Sequence, residues 1–119
     1  MMTTQEIASR LYELCKQGQF EAAQNELFAD DATSTERNRE GQLETVTGIA
    51  AIKEKGRHFQ NMVEEMHSAY TNEPKTFGKF IFMEMGMDVT MKGMGRMNMN
   101  EMCNYEVKDD KIISERFYY

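Results

Sequence analysis

No stretch of this chain approaches the ~20 consecutive apolar residues that a membrane-spanning helix needs. Nor does any cluster of Lys and Arg interrupt its acidic balance. The 14 basic residues are scattered among 20 acidic ones, for a formal net charge of −6. Binding to a phosphate backbone needs a concentrated basic footprint, so nucleic acid is not an expected partner. The segment Met1–Glu6 is polar and lacks the basic start and apolar stretch of a secretory signal, which makes the cytoplasm the expected compartment. Cysteine is scarce: Cys15 and Cys103 are far apart and lie on different predicted elements, so both are expected as thiols. There are two histidines, His58 and His67, and no Cys/His spacing of a zinc site. No Gly-rich phosphate loop, nucleophile elbow or kinase motif occurs, and no cofactor is implied. Proline occurs once, at Pro74, and no internal repeat or low-complexity linker divides the chain. A single domain over residues 1–119 is the expectation.

What the chain has is methionine, at alternate positions. Ile81, Met83, Met85, Met87, Val89 and Met91 form one set, and Met97, Met99, Glu101, Cys103, Tyr105 and Val107 a second. A strand sends alternate side chains to opposite faces, so each set belongs to one side of a sheet. Glu101 breaks the apolar rule. Burying an ionisable group is costly, so it is a functional lead. Upstream, Thr3 and Glu6 have capping-box spacing before a helical stripe of Ile7, Leu11, Leu14 and Cys15 that stops at Gly18. Phe20, Ala23, Leu27 and Phe28 predict a second helix closed by Asp30-Asp31, and Thr33–Thr45 reads as a short strand and an exposed loop. Thr47-Gly48 opens a third helix with Ile49, Ile52, Phe59 and Met62 on its apolar side. Strands are predicted over about Val63–Tyr70, Phe77–Met91, Gly95–Val107 and Ile112–Tyr119, separated by Pro, Gly and Asp turn chemistry. Helices first and sheet after predicts α+β, with three N-terminal helices packed on a strongly curved antiparallel sheet.

That order of elements is similar to the nuclear transport factor 2-like, or cystatin-like, cone fold. The segment Tyr105-Glu-Val-Lys-Asp-Asp-Lys-Ile-Ile-Ser-Glu-Arg-Phe-Tyr-Tyr119 resembles the C-terminal signature of SnoaL-like proteins. Phe28-Ala-Asp-Asp-Ala32 resembles their helix-to-strand passage, and Gly48-Ile-Ala-Ala-Ile52 their third-helix opening. The resemblance covers nearly the whole chain and specifies fold better than function. It implies a cavity between the concave sheet face and the helices. Members of that superfamily include ketosteroid isomerase, polyketide cyclases, limonene epoxide hydrolase, dehydratases and transport factors. The ketosteroid isomerase acid before the last turn falls on Cys103, and the cyclase His and Asp of the final strand fall on Glu115 and Phe117. Neither acid carries over, so the cavity would work with carboxylates of its own.

The candidate catalytic residues are Glu101, Glu115, His67 and Asp88. Ile113, Glu115, Phe117 and Tyr119 alternate along the last strand, on a face expected to meet that of Glu101 and Cys103. Two carboxylates in one apolar cavity cannot both ionise cheaply, so one could give a proton while the other accepts one. Such a pair suits isomerase, cyclase or dehydratase chemistry. The competing expectation is a carboxylate at the cavity mouth, or one paired with Arg96 or Arg116. His67 could point inward beside Glu101, or be structural. Asp88 shares its parity with Glu84 and Thr90, away from the methionines, unless a bulge follows Gly86. Met83, Met85, Met87, Met97, Met99, Cys103, Tyr105, Phe117 and Phe59 are the expected walls for a small apolar ligand.

Two other readings stay open: a binding or interaction module without chemistry, and Cu(I) held by the Met-x-Met spacings with His67 and Cys103. Methionine also serves as adaptable filling for an apolar pocket. The outer face carries Phe80, Phe82, Met102, Arg116 and Tyr118 among polar residues, which suits an interface and predicts a homodimer.

Overall fold

Thr3 and Glu6 start the first helix as their spacing predicts. The Glu6 amide donates to Thr3 Oγ1 at 3.1 Å and the Thr3 amide donates to Glu6 Oε1 at 2.8 Å. This computed structural model describes residues 2–119. Helix α1, Thr4–Lys16, buries Ile7, Ala8, Leu11, Leu14 and Cys15. Gly18, at φ +73°, turns the chain into α2, Phe20–Leu27. Helix α3 is Ile49–Met62. Arg10 grips Glu26 through two bonds of 2.6 and 2.9 Å, and Arg57 Nε donates to Glu21 at 2.9 Å, so α2 is tied to both other helices.

The strands are β1 Phe28–Arg37, β2 Leu43–Thr47, β3 Val63–Thr71, β4 Lys75–Phe77, β5 Phe80–Met91, β6 Gly95–Lys108 and β7 Lys111–Tyr118. They form one curved sheet in the order β2-β1-β7-β6-β5-β3, with β4 also on β5. The architecture is α+β, as expected, with one difference: β1 runs parallel to β7. Three boundaries also differ from expectation. Phe28 begins a strand rather than ending a helix, and Asp30 and Asp31 lie within that strand instead of closing α2. The polar run after Thr33 continues β1 and returns as β2, because each strand gains ladder bonds and those outweigh composition. Asn38 builds the turn between them, its Oδ1 accepting from the amides of Glu40 and Gln42 at 3.0 Å each. Phe77 and Phe80 fall on separate strands joined by a turn with Gly78 at φ +59°.

The β6–β7 hairpin turns through Asp109 and Asp110, both left-handed at φ +51° and +68°, the pairing demanded by a two-residue turn that keeps the sheet's twist. Just past it Glu106 faces Ser114 but Val107 faces Ile112, so Ile113 is an extra residue. This bulge turns Ile112 into the core and leaves Ile113 half-buried, correcting the simple alternation expected for that strand.

The core lies between the helices and the inner sheet face. Leu11, Leu27, Phe28 and Ile52 meet Ile81, Met83, Cys103, Tyr105 and Ile112 there. Phe28 meets Tyr105 edge to face, with ring centroids 6.4 Å apart. β7 reaches only to the pairing of Tyr118 with Met102, whereas β6 begins at Gly95. From Gly95 to Glu101, β6 therefore has β5 on one side and no strand on the other among the described residues.

Candidate functional site

The ladder lays the inner face out in cross-strand rows. Ser34, Glu115, Tyr105 and Ile81 form one row across β1, β7, β6 and β5. Phe117, Cys103 and Met83 form the next, then Glu101 with Met85, then Met99 with Met87. Glu101 and Glu115 thus share a face, two rows apart, which is roughly 13 Å along the strands. The first two rows lie under the helices, where Ile81, Met83, Cys103 and Tyr105 are core, and Met85 in the third row is buried with them. Met87, Met97 and Met99 are only half-buried. Beside them a recess of about 300 Å³, lined by Asn98, Met99, Asn100 and Tyr119, opens to solvent where β7 has ended. On the β5 side this end is closed by the buried Val89 and Met91; the opening lies along the free edge of β6, next in sequence to Glu101.

Both carboxyls are moved far from the ordinary value of 4.5. Burial lifts Glu101 to about 7, helped by the charge of Glu36 and opposed by the Cys103 thiol and Lys55. The Cys103 Sγ lies 3.7 Å from Glu101 Oε1. Glu115, 6% exposed, is also pushed up to about 7 by burial, against a hydrogen bond from Ser34 and the charge of Lys55. The charge of Glu101 adds to the rise at Glu115, whereas the acid acting on Glu101 is Glu36. Burial also holds Cys103 and Tyr105 protonated and pushes Cys15 up to about 12, so neither thiol is a ready nucleophile.

Sequence reasoning missed the polar partners. Lys55 Nζ donates to Ser34 Oγ at 2.7 Å, approaches Glu36 Oε2 at 3.6 Å and lies 5.4 Å from the centroid of the Phe117 ring. Lys55 was visible in principle, since it falls on the stripe of Ile52 and Phe59, where a cation interrupts an apolar pattern. Ser34 and Glu36 alternate with Ala32 on β1, a signal too short and polar to read as an inner face. Tyr119, 65% exposed, stands at the edge of the set, where partial desolvation and then the nearby Glu36 and Glu101 raise its phenol.

His67 and Asp88 do not join this group. β3 bulges at His67, between Met66 opposite Val89 and Ser68 opposite Asp88, which places the imidazole on the outer face. There it bonds Thr90 Oγ1 at 2.7 Å and sits 3.1 Å from Glu65. The expected neighbour of Glu101 is therefore elsewhere, and so is the imidazole a methionine copper site would have drawn on. The β5–β6 register runs unbroken past Gly86, so Asp88 stays outside, held by Arg96 at 2.9 and 3.0 Å and lowered by that bond. Phe59 is half-buried on α3. Among the described residues no group of three or more His, Cys, Asp or Glu side chains is placed to hold a metal. No helix there is long and apolar enough to cross a membrane.

Comparison with known proteins adds the lineage. A crystal structure of a protein provisionally assigned as a SnoaL-like polyketide cyclase, from Mesorhizobium loti, is 37% identical, superposes with a TM-score of 0.90 and covers 99% of this chain and 100% of its own. A Xanthomonas campestris protein with a cystatin-like fold matches at 14% identity and TM-score 0.79, covering 98% of this chain and 90% of its own. A nuclear transport factor 2-like protein from Burkholderia pseudomallei matches at 15% and 0.77, covering 100% and 92%. The latter two likenesses concern the fold alone. No curated protein matches the chain significantly. The SnoaL-like domain family matches residues 2–119, and the chain belongs to that family.

Proposed function

We propose that this protein binds a small, largely apolar molecule at the open end of its inner face and moves protons on it with Glu101 and Glu115. One observation carries the reading: two carboxyls, each raised by burial to about 7, share an inner face, and the β6 residues that precede Glu101 line an open recess at the strand's free edge. A carboxyl with such a pKa is a competent acid when protonated and a competent base when ionised. The half-buried thioethers of Met87, Met97 and Met99 supply adaptable apolar wall, and Asn98, Asn100 and Tyr119 supply polar contacts at the rim. The Mesorhizobium loti relative's provisional assignment as a SnoaL-like polyketide cyclase is in keeping with this reading.

The test uses β-tetralone, an apolar ketone with acidic C–H bonds beside its carbonyl. Binding is followed by methionine-methyl NMR, and proton abstraction by deuterium uptake from heavy water. The expected result is shifts at Met87, Met97 and Met99 together with accelerated exchange that Glu101→Gln removes without removing the shifts. Shifts without exchange would favour a binding module that does no chemistry. Unmoved methyls would sink the site for this ligand class.

We also propose that the outer sheet face pairs two copies of the chain. Phe82, Met102 and Tyr118 are 40–53% exposed on adjacent strands of that face, an apolar patch of the kind interfaces use.

A further inference from the structure

Glu115 is the most enclosed carboxyl at the site, and a polar chain reaches it across the core. We propose that Lys55 and Ser34 are positioning residues for Glu115: the ammonium, acting through the hydroxyl, offsets part of the cost of burying the ionised side chain, so that it can take up a proton and return it. The use of that proton rests on the acid–base reading above. The placement of charge stands independently.

The direction of the hydrogen bonds carries the argument. A lysine ammonium has three donors and no acceptor, so in the 2.7 Å contact Ser34 must accept. Its one hydroxyl proton is then free to point elsewhere, and Ser34 and Glu115 are partners in the parallel β1–β7 ladder. The relay runs from ammonium to hydroxyl to carboxylate, and it favours the ionised acid. Ser34 is fully buried, so water does not compete for the middle position. Glu101 has nothing equivalent, since its close side-chain donor is the Cys103 thiol at 3.7 Å, a weak one.

The groups acting on Glu115 sharpen the point. From α1 there is Cys15, from β1 Ser34 and Glu36, from α3 Lys55, and from β6 Glu101, Cys103 and Tyr105. Among these, Lys55 is the cation. The others are neutral or acidic and would leave desolvation unopposed. Burial drives Glu115 up while Ser34 and Lys55, in that order, draw it down, which is how so enclosed an acid still exchanges protons near pH 7.

Carboxyl-carbon NMR titrations of the wild type and of Ser34→Ala, Lys55→Met and Lys55→Arg test this. Ser34→Ala and Lys55→Met should each raise the Glu115 midpoint by about one unit or more, with at most half that movement at Glu101. Lys55→Arg keeps the charge and should restore most of the wild-type midpoint. Amide spectra check that each variant is folded. Lys55 is partly exposed on a helix, so its variants remain informative if Ser34→Ala disturbs the core. Equal movement of both glutamates, or none at Glu115, overturns the proposal. Failure of the β-tetralone assay with the expected midpoints would remove the proposed reaction and leave the relay in place.

Discussion

Glu101 and Glu115 share a face of the sheet, yet only Glu101 could be singled out from sequence on its own strand. It interrupts an otherwise apolar alternation, and a costly exception is readable. Glu115 was reachable through its parity on the last strand, although the bulge at Ile113 means that strand does not alternate as simply as it reads. Ser34, Glu36 and Lys55 were not read because nothing local says that β1 and α3 converge on β7. The two glutamates have a consequence for stability. A carboxyl raised from 4.5 to about 7 in the folded state holds its proton more tightly there than in the unfolded chain. Stability is therefore greatest below the unfolded value and declines as pH rises from about 4.5 through 7. For one such group the loss is roughly 3 kcal/mol at the most, less where water relaxes around the charge. Glu115→Gln removes the ionisation. Its urea midpoint should match the wild type at about pH 3.5, below the unfolded value, and exceed it at pH 8, by an amount worth about 1–3 kcal/mol. A deficit at pH 8 would mean that the charge is stabilised better than burial suggests.

At the scale of elements, what could be read was whatever local chemistry decides: the capping box of α1, the helical stripes, the turn at Asp109-Asp110. What could not was decided by pairing at a distance, as in the long β1 and the outward bulge of His67. The β3–β5 pair offers a test of one such long-range fit. The Tyr70 ring lies across Gly86 where a Cβ would stand, and its hydroxyl donates to Glu84 Oε2 at 2.7 Å. Gly86→Ala must push the ring aside and break that bond. The expected cost is about 1–2 kcal/mol in chemical denaturation, from lost packing and one hydrogen bond. Tyr70→Phe should cost about 1 kcal/mol or less, and the double variant should fall short of the sum because both changes act through one contact. Strict additivity would show that the ring is not what Gly86 accommodates.

For the molecule as a whole, the order of elements made the α+β class legible before any contact was known. The parallel junction of β1 with β7 was not, since no local pattern announces which strands meet across a sheet. The net charge of −6 and the exposed patch of Phe82, Met102 and Tyr118 belong to this scale as well. Sedimentation of the wild type should show a concentration-dependent dimer, and Met102→Lys should shift it toward monomer without changing the helical signal. Met102 is 41% exposed in one chain, so a charge there is tolerable alone and unfavourable between two apolar faces. A wild type that remains monomeric at high concentration would leave that face to solvent.

The overhang of β6 beyond β7 has an effect in time rather than in space. Successive backbone amides of a strand point to opposite sides, so between Gly95 and Glu101 alternate N–H groups meet β5 and the others meet no strand. Amide hydrogen exchange should therefore alternate along this stretch, slow then fast, and become uniformly slow past Met102. A ligand seated along Asn98, Met99 and Asn100 would slow the fast members of that series, so the exchange pattern would report occupancy without a label.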